Sequence, residues 1–176
     1  SPASCTGTPI TNQSCVYVFQ PEQSIQAESG ILSGMQQFTS GSDTYIYTNT
    51  TNSGSAVFAF NITTAGTYKL EARVNSNNDG GTNSFYVGLD TEAPLNNNYY
   101  AFDAQIIDGF IWDEVNRRGN GGTVSQYDPM IFNLSVGSHA FTFYGKEPNT
   151  WLDQIRLVPA TGDTTAPSAP TGVSVN

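Results

Sequence analysis

The stretch Thr67-Tyr-Lys-Leu-Glu-Ala-Arg-Val-Asn75 decides the fold class. Tyr68, Leu70, Ala72 and Val74 fall on one parity, and Lys69, Glu71, Arg73 and Asn75 fall on the other. A period of two is that of a strand with one face in a core and the other toward water. The same alternation recurs in Phe58, Phe60 and Ile62, in Phe85, Val87 and Leu89, and in His139, Phe141 and Phe143. Ile155 and Leu157 form a last pair. Val16-Tyr-Val-Phe19, Ser24-Ile-Gln-Ala-Glu28, Tyr45-Ile-Tyr47 and Met130-Ile-Phe-Asn-Leu134 are shorter candidates. Between these runs stand turn formers: Ala65-Gly66, Asn78-Asp-Gly-Gly81, Gly119-Asn-Gly-Gly122 and Val136-Gly137. No segment sustains a 3.6-residue period with caps. About eight to ten short strands separated by such turns predict an all-β antiparallel β-sandwich. Thr91 to Ser125 reads as a long loop-rich stretch, and loops of that length in a domain are usually functional.

Composition narrows the classes. The chain has 176 residues, enough for one domain with a real core plus tails. Charged residues make up only 12% of it, about half the usual share. Six Lys and Arg against 15 Asp and Glu leave a net charge of −9. With no basic cluster, that balance argues against nucleic acid and against an anionic membrane as partners. No run reaches the ~20 apolar residues of a membrane-spanning helix. Cys5 and Cys15 are the only cysteines. With no Cys-x-x-Cys and a distant His139, a local disulfide is the simplest expectation, and it implies a secreted, extracellular protein. Asn12, Asn49, Asn61 and Asn133 begin glycosylation sequons, which matter only in a source that glycosylates its secreted proteins. From Thr161 the chain turns to Pro, Thr and Gly, and Ala169-Pro-Thr-Gly-Val-Ser-Val175 resembles the first strand of a fibronectin type III domain. The expected organisation is an N-terminal segment at 1–23 holding the Cys5–Cys15 disulfide, a β-sandwich module at 24–159, and a linker at 160–176 leading into a further domain.

Three motifs carry a more specific resemblance. The first is Ile25-Gln-Ala-Glu-Ser-Gly30 with Leu32-Ser-Gly34. The second is Ala65-Gly-Thr-Tyr-Lys-Leu-Glu-Ala-Arg-Val74 followed by Asn83-Ser-Phe-Tyr-Val-Gly-Leu-Asp90. The third is Val136-Gly-Ser-His-Ala-Phe-Thr-Phe143 followed by Gly145-Lys-Glu-Pro-Asn-Thr-Trp-Leu-Asp-Gln-Ile155. In this order they resemble the opening, middle and closing strands of carbohydrate-binding modules of families 6 and 35, over roughly residues 16–159. The resemblance implies a jelly-roll, galactose-binding-like sandwich with a structural calcium and a sugar site in loops at one end. Some members carry a second site on a sheet face.

The calcium ligands implied are Gln26, Glu28 and Asp153, with Gln26 standing where the family has an acid. The residues themselves fit such a site. Gln26 and Glu28 are two apart and would share a strand face, and Asp153 falls on the row of Ile155 and Leu157, where a carboxylate needs a cation or strong donors. The alternative is that Glu28 and Asp153 make ordinary hydrogen bonds or pair with Arg156 or Arg73. For sugar, an aromatic platform with amides at its rim is required, because sugars present apolar C–H faces and hydroxyl edges. The implied candidates are Tyr45, Tyr47, Trp112, Asn149 and Trp151, with Tyr99, Tyr100 and Asp103 as outer rim. Each ring could instead be packing. Asn149 stands where the family motif often has Gly. The outward row Lys69, Glu71 and Arg73 could form a second site or be a solvated face.

Catalysis is not expected. Glycosidases need two carboxylates at a set separation, and the adjacent Asp113 and Glu114 would point opposite ways in a strand. Neither Gly-x-Ser-x-Gly nor His-Glu-x-x-His occurs, and His139 reads as a satisfied core histidine. The expectation is a non-catalytic module that binds a polysaccharide or oligosaccharide as a monomer and tethers an attached enzyme to it. A structural or adhesive spacer is the alternative.

Overall fold

The strand quoted first is the centre of one of two sheets. The structure is a computed structural model, and it describes residues 22–90, 100–117 and 129–160. Those residues hold strands β1 (Gln23–Gln26), β2 (Ile31–Ser33), β3 (Gln36–Ser40), β4 (Asp43–Tyr47), β5 (Ser55–Ile62) and β6 (Gly66–Asn75). They continue with β7 (Ser84–Leu89), β8 (Tyr100–Asp103), β9 (Ile111–Glu114), β10 (Ile131–Leu134), β11 (Gly137–Gly145) and β12 (Trp151–Pro159). A seven-stranded sheet runs β10-β6-β12-β4-β3, with β9 added to β6 and β1 to β12. The second sheet has five strands in the order β2-β5-β11-β7-β8. Every pairing is antiparallel. The sandwich follows from the alternation, because each sheet has one apolar face that must be covered.

The core is the seam between the sheets. The five-stranded sheet contributes Phe58 and Phe60 of β5, Phe141 and Phe143 of β11, Phe85 of β7 and Phe102 of β8, all fully buried. Phe58 meets Phe143, and Phe60 meets Phe141, edge to face at 5.9 and 5.8 Å. Edge-to-face pairing of this kind adds to the burial of area. Tyr68, Leu70, Ala72 and Val74 of β6 face these rings with Ile46, Leu152, Ile155 and Leu157. The parity read from the sequence is therefore the parity in the structure.

Several expectations change. The first strand stops at Gln26, and Ala27–Ser29 form a 3₁₀ turn. The Ser29 hydroxyl donates to the Gln26 carbonyl at 2.7 Å, and the Gly30 N–H donates to the Ala27 carbonyl. Gln26 and Glu28 thus do not share a strand face. The closing strand also departs from simple alternation. Its register against β6 shifts between Leu152 and Gln154, a β-bulge that takes Asp153 off the row of Ile155 and Leu157. The stretch read as loop holds β8 and β9, each four residues long with acidic members that hide the alternation. The candidate strand at Val16–Phe19, Cys5 and Cys15, Tyr99, and the linker from Thr161 lie outside the described residues. The Glu22 carboxylate reaches Arg156 at 3.5 Å, beside the start of β1.

His139 sits at the open end of the core row. Its Nδ1 bonds Asp90 at 2.8 Å, and its Nε2 lies 3.0 Å from the Ser135 carbonyl. The Asp90 hydrogen bond raises the imidazole above its ordinary value, against the opposing effect of burial and with help from Ser135. With both ring nitrogens on oxygens, the imidazolium ties the β10–β11 turn to the end of β7. A raised folded-state value means stabilisation that is full below the unfolded value of 6.5 and is lost as pH rises through the folded one. His139→Gln should therefore lower the melting temperature more at pH 5 than at pH 9. Thermal melts of both proteins at the two pH values test this, and an equal loss at both would remove the charge from the account.

Candidate functional site

The side of the seven-stranded sheet turned away from the core carries an unusual load of rings. On β4, Ile46 points into the core, so Asp43, Tyr45 and Tyr47 point the other way. On β12, Leu152 is core and Trp151 lies on the opposite face. Tyr45 and Trp151 stack at 4.5 Å with planes 19° apart. Tyr47, Phe38 and Phe110 join Tyr45 at 6.2, 5.6 and 5.4 Å. Tyr45 is 4% exposed, although it belongs to no part of the central core; its neighbours cover it. Burial, then the neighbouring Tyr47, push its hydroxyl above the ordinary value, so it stays neutral. Tyr45 is the floor of the cluster, while Phe38, at 52% exposed, and the half-buried Tyr47, Trp151 and Phe110 are its surface.

Amides border these rings. Gln36 is the register partner of Tyr47, and its Oε1 accepts from Asn49 Nδ2 at 3.1 Å. Asn149 is exposed in the loop before β12. Its N–H donates to the Thr48 carbonyl at 2.7 Å, and its own carbonyl accepts from Asn77 Nδ2 at 2.9 Å. Its φ of 57° lies in the left-handed region, where Gly and Asn are the residues that fit most easily. That requirement explains why Asn can replace the Gly expected there: the backbone keeps its turn and the site gains an amide side chain.

Sequence reasoning therefore named four residues that meet at one end of this face: Tyr45, Tyr47, Asn149 and Trp151. It missed Phe38 and Phe110. A single ring in the otherwise polar strand Gln36–Ser40, with no alternation to place it in the core, was the available signal for Phe38. Trp112 stands apart from the ring cluster. It pairs with Arg73 across β6 and β9, and the Arg156 guanidinium covers its ring at 4.1 Å from the centroid.

The outward row of β6 is an ion lattice, not a plain solvated face. Lys69 lies between Glu71 at 2.9 Å and Glu114 at 2.5 Å. Arg156 clamps Glu71 at 2.5 Å. Burial works to raise the Glu71 carboxyl, but the hydrogen bonds from Lys69 and Arg156 outweigh it and hold it below the ordinary value. Arg73 joins Asp153 at 2.5 Å and Asp43 at 3.3 Å, with its guanidinium over the Phe110 ring. Beside this lattice is a cleft of 330 Å³ bordered by Trp112, Gln105, Asn116 and the carboxylates of Glu71, Asp113 and Glu114. In register against β6, Asp113 stands opposite the inward Ala72 and Glu114 opposite the outward Glu71, the opposed parity expected of neighbours in a strand. Glu114 is held by Lys69, and Asp113 accepts the Gln105 N–H at 2.8 Å.

The three implied calcium ligands are held differently from one another. Gln26 is exposed at the end of β1. Asp153, 2% exposed, already has Arg73 as its counter-charge. Glu28, in the 3₁₀ turn, has a buried Oε2 with no hydrogen-bond partner. An orphaned buried carboxylate oxygen fits a cation, so Glu28 suits a metal ion, whereas Asp153 is already neutralised by Arg73. No cluster of three or more His, Cys, Asp or Glu positioned for a metal occurs among the described residues.

Comparison with solved structures decides the fold. A family 35 carbohydrate-binding module from Clostridium thermocellum superposes with a TM-score of 0.57 at 14% identity, covering 80% of this chain and 100% of that one. CBM35 from Paenibacillus barcinonensis gives 0.55 at 18% identity, covering 78% and 99%. The C-terminal CBM6 of LamC, a laminarinase from Zobellia galactanivorans, gives 0.55 at 17%, covering 78% and 98%. This chain has the fold of a carbohydrate-binding module. It also matches a Podospora anserina GH26-CBM35 β-(1,4)-mannanase with a TM-score of 0.60 at 18% identity, covering 81% of this chain and spanning only 28% of the mannanase. No protein-family model matches the chain, and no curated protein sequence does.

Asn149 gives a test that separates backbone from side chain. Asn149→Gly should melt with the parent, because glycine accepts the left-handed φ. Asn149→Ala should cost about 1 kcal/mol from the strain of that conformation. Urea unfolding of both variants reads the difference.

Proposed function

We propose that this chain is a non-catalytic carbohydrate-binding module of a secreted multidomain protein, and that it holds a polysaccharide on the ring cluster of the seven-stranded sheet. The observation that carries this is the Tyr45–Trp151 stack with Phe38, Tyr47 and Phe110 on the face turned away from the core. A sandwich already sealed by its phenylalanines has no folding need for five rings on its outer side. Such a patch marks a ligand surface. Trp151 and Tyr47 supply faces for the C–H side of a sugar ring, and Asn149, Asn77 and Gln36 supply amide donors and acceptors for its hydroxyls. The fold shared with carbohydrate-binding modules supports the binding reading. The module would work by proximity, raising the local concentration of an attached enzyme at its substrate. Affinity at one such site is weak, because stacking must offset the desolvation of many hydroxyls.

Affinity electrophoresis against a panel of polysaccharides tests this. Retardation by at least one glycan is expected. Trp151→Ala and Tyr47→Ala should each weaken it about tenfold, roughly 1.4 kcal/mol, with the melting temperature showing that the variants fold. Full retardation in both would sink the ring cluster as the site. Loss confined to Trp112→Ala would move the site to the cleft.

Calcium belongs to the same reading as a structural ion. Glu28 would hold it, with Gln26 and Asp153 as the other side chains the resemblance assigns, and Asp153 contributing less because Arg73 balances its charge. When bound, the ion supplies the positive charge that the buried Glu28 oxygen lacks. Calcium at about 1 mM, in the affinity range of extracellular sites, should raise the melting temperature, and a chelator should lower it. Glu28→Gln should respond to neither. Identical melts of the parent with calcium and with chelator would remove calcium from the account.

A further inference from the structure

Resting on the carbohydrate-binding reading, we infer the chemical class of the ligand: an uncharged glycan, recognised without any ionic contact. The inference comes from where the cations of this chain are spent. The sequence holds six Lys and Arg. Arg118 lies outside the described residues, and Arg117 is on Tyr100 of β8, with its guanidinium 4.8 Å from the ring centroid. Each of the other four is committed to carboxylates. Lys146 lies 3.3 Å from Glu147 and 3.6 Å from Asp103, and it donates to the Ser84 hydroxyl at 2.9 Å. Lys69, Arg73 and Arg156, the three on the ligand-bearing sheet, are each held between or against acids.

A uronate or sulfate needs a cation that can turn toward it, best a guanidinium presenting two N–H groups. Among the described residues, Arg73 is the guanidinium that lies against the ring cluster, over Phe110 at 4.9 Å. Turning it outward would abandon Asp153, which is 2% exposed, and a buried carboxylate stripped of its partner is strongly destabilising. Arg156 is held in the same way by Glu71, itself mostly buried, and it also covers Trp112. Across the face, the carboxylates of Asp43, Glu71, Glu114 and Asp153 outnumber the three cations, so the local field adds to the chain's −9 in repelling an anion. The groups left at the ring edge are amides, which suit hydroxyls. The ion lattice is thus a specificity device: it stiffens the platform and withholds Lys69, Arg73 and Arg156 from an acidic sugar.

The test pairs neutral and acidic glycans on the intact chain. Neutral mannan, β-glucan, xylan and galactan are compared with polygalacturonate, alginate and a sulfated galactan, at about 20 mM and about 500 mM salt. Retardation by one or more neutral glycans, changed less than about twofold by salt, is the expected result. Selective binding of an acidic glycan, or binding that falls steeply with salt, would overturn the uncharged-ligand inference while leaving the carbohydrate-binding reading in place. Acidic binding abolished by a chelator would overturn it too, since a bound cation would then be the missing charge. Retardation by neither class would defeat the binding reading itself, and this inference with it.

Discussion

Everything on the ring-bearing side of this protein depends on the central position of β6. It is bordered by β12 on one edge and by β9 and β10, end to end, on the other. A strand so enclosed has no freedom to slip, because a shift of one residue would carry Lys69, Glu71 and Arg73 into the phenylalanine layer. Its inward row therefore holds the core, and its outward row must find partners on the neighbouring strands. Glu114 comes from β9, Asp43 from β4, and Asp153 and Arg156 from β12. One register thus sets both the apolar seal and the ion lattice.

The bulge at Asp153 connects that lattice to the rings. By simple alternation Asp153 would lie with Ile155 and Leu157 in the apolar row, an expensive place for a carboxylate. The register shift between Leu152 and Gln154 puts Leu152 in the core instead and lets Asp153 meet Arg73. Just before the bulge, Trp151 meets Tyr45, and Arg73 lies against Phe110, which closes the cluster from the far side. The pair Arg73–Asp153 is therefore both a charge balance and a strut under the aromatic surface.

The fold was readable because long strands carry their period openly. Residues 55–62, 66–75, 84–89 and 137–145 each repeat apolar residues often enough to show two faces. The short strands did not show them: β2 has three residues, and β8 and β9 have four. Part of the ring cluster was readable too: Asn149 and Trp151 lie in the closing motif with its family likeness, and Tyr45 and Tyr47 in a short alternating run. Their division of labour was not. Nothing local distinguishes the buried Tyr45 from its exposed neighbours, because what covers it arrives from β3, from the loop before β9, and from β12.

By itself the sequence determined that two apolar sheet faces must be buried against each other, since alternation is a property of each strand alone. It also determined that charge is scarce and mostly negative. Only the tertiary structure decided which carboxylate meets which cation, that Trp112 lies under Arg156, and that Phe38 and Phe110 complete the rings. Those contacts join residues from separate strands, and their partners follow from sheet order and from one bulge, neither of which is written in any single segment.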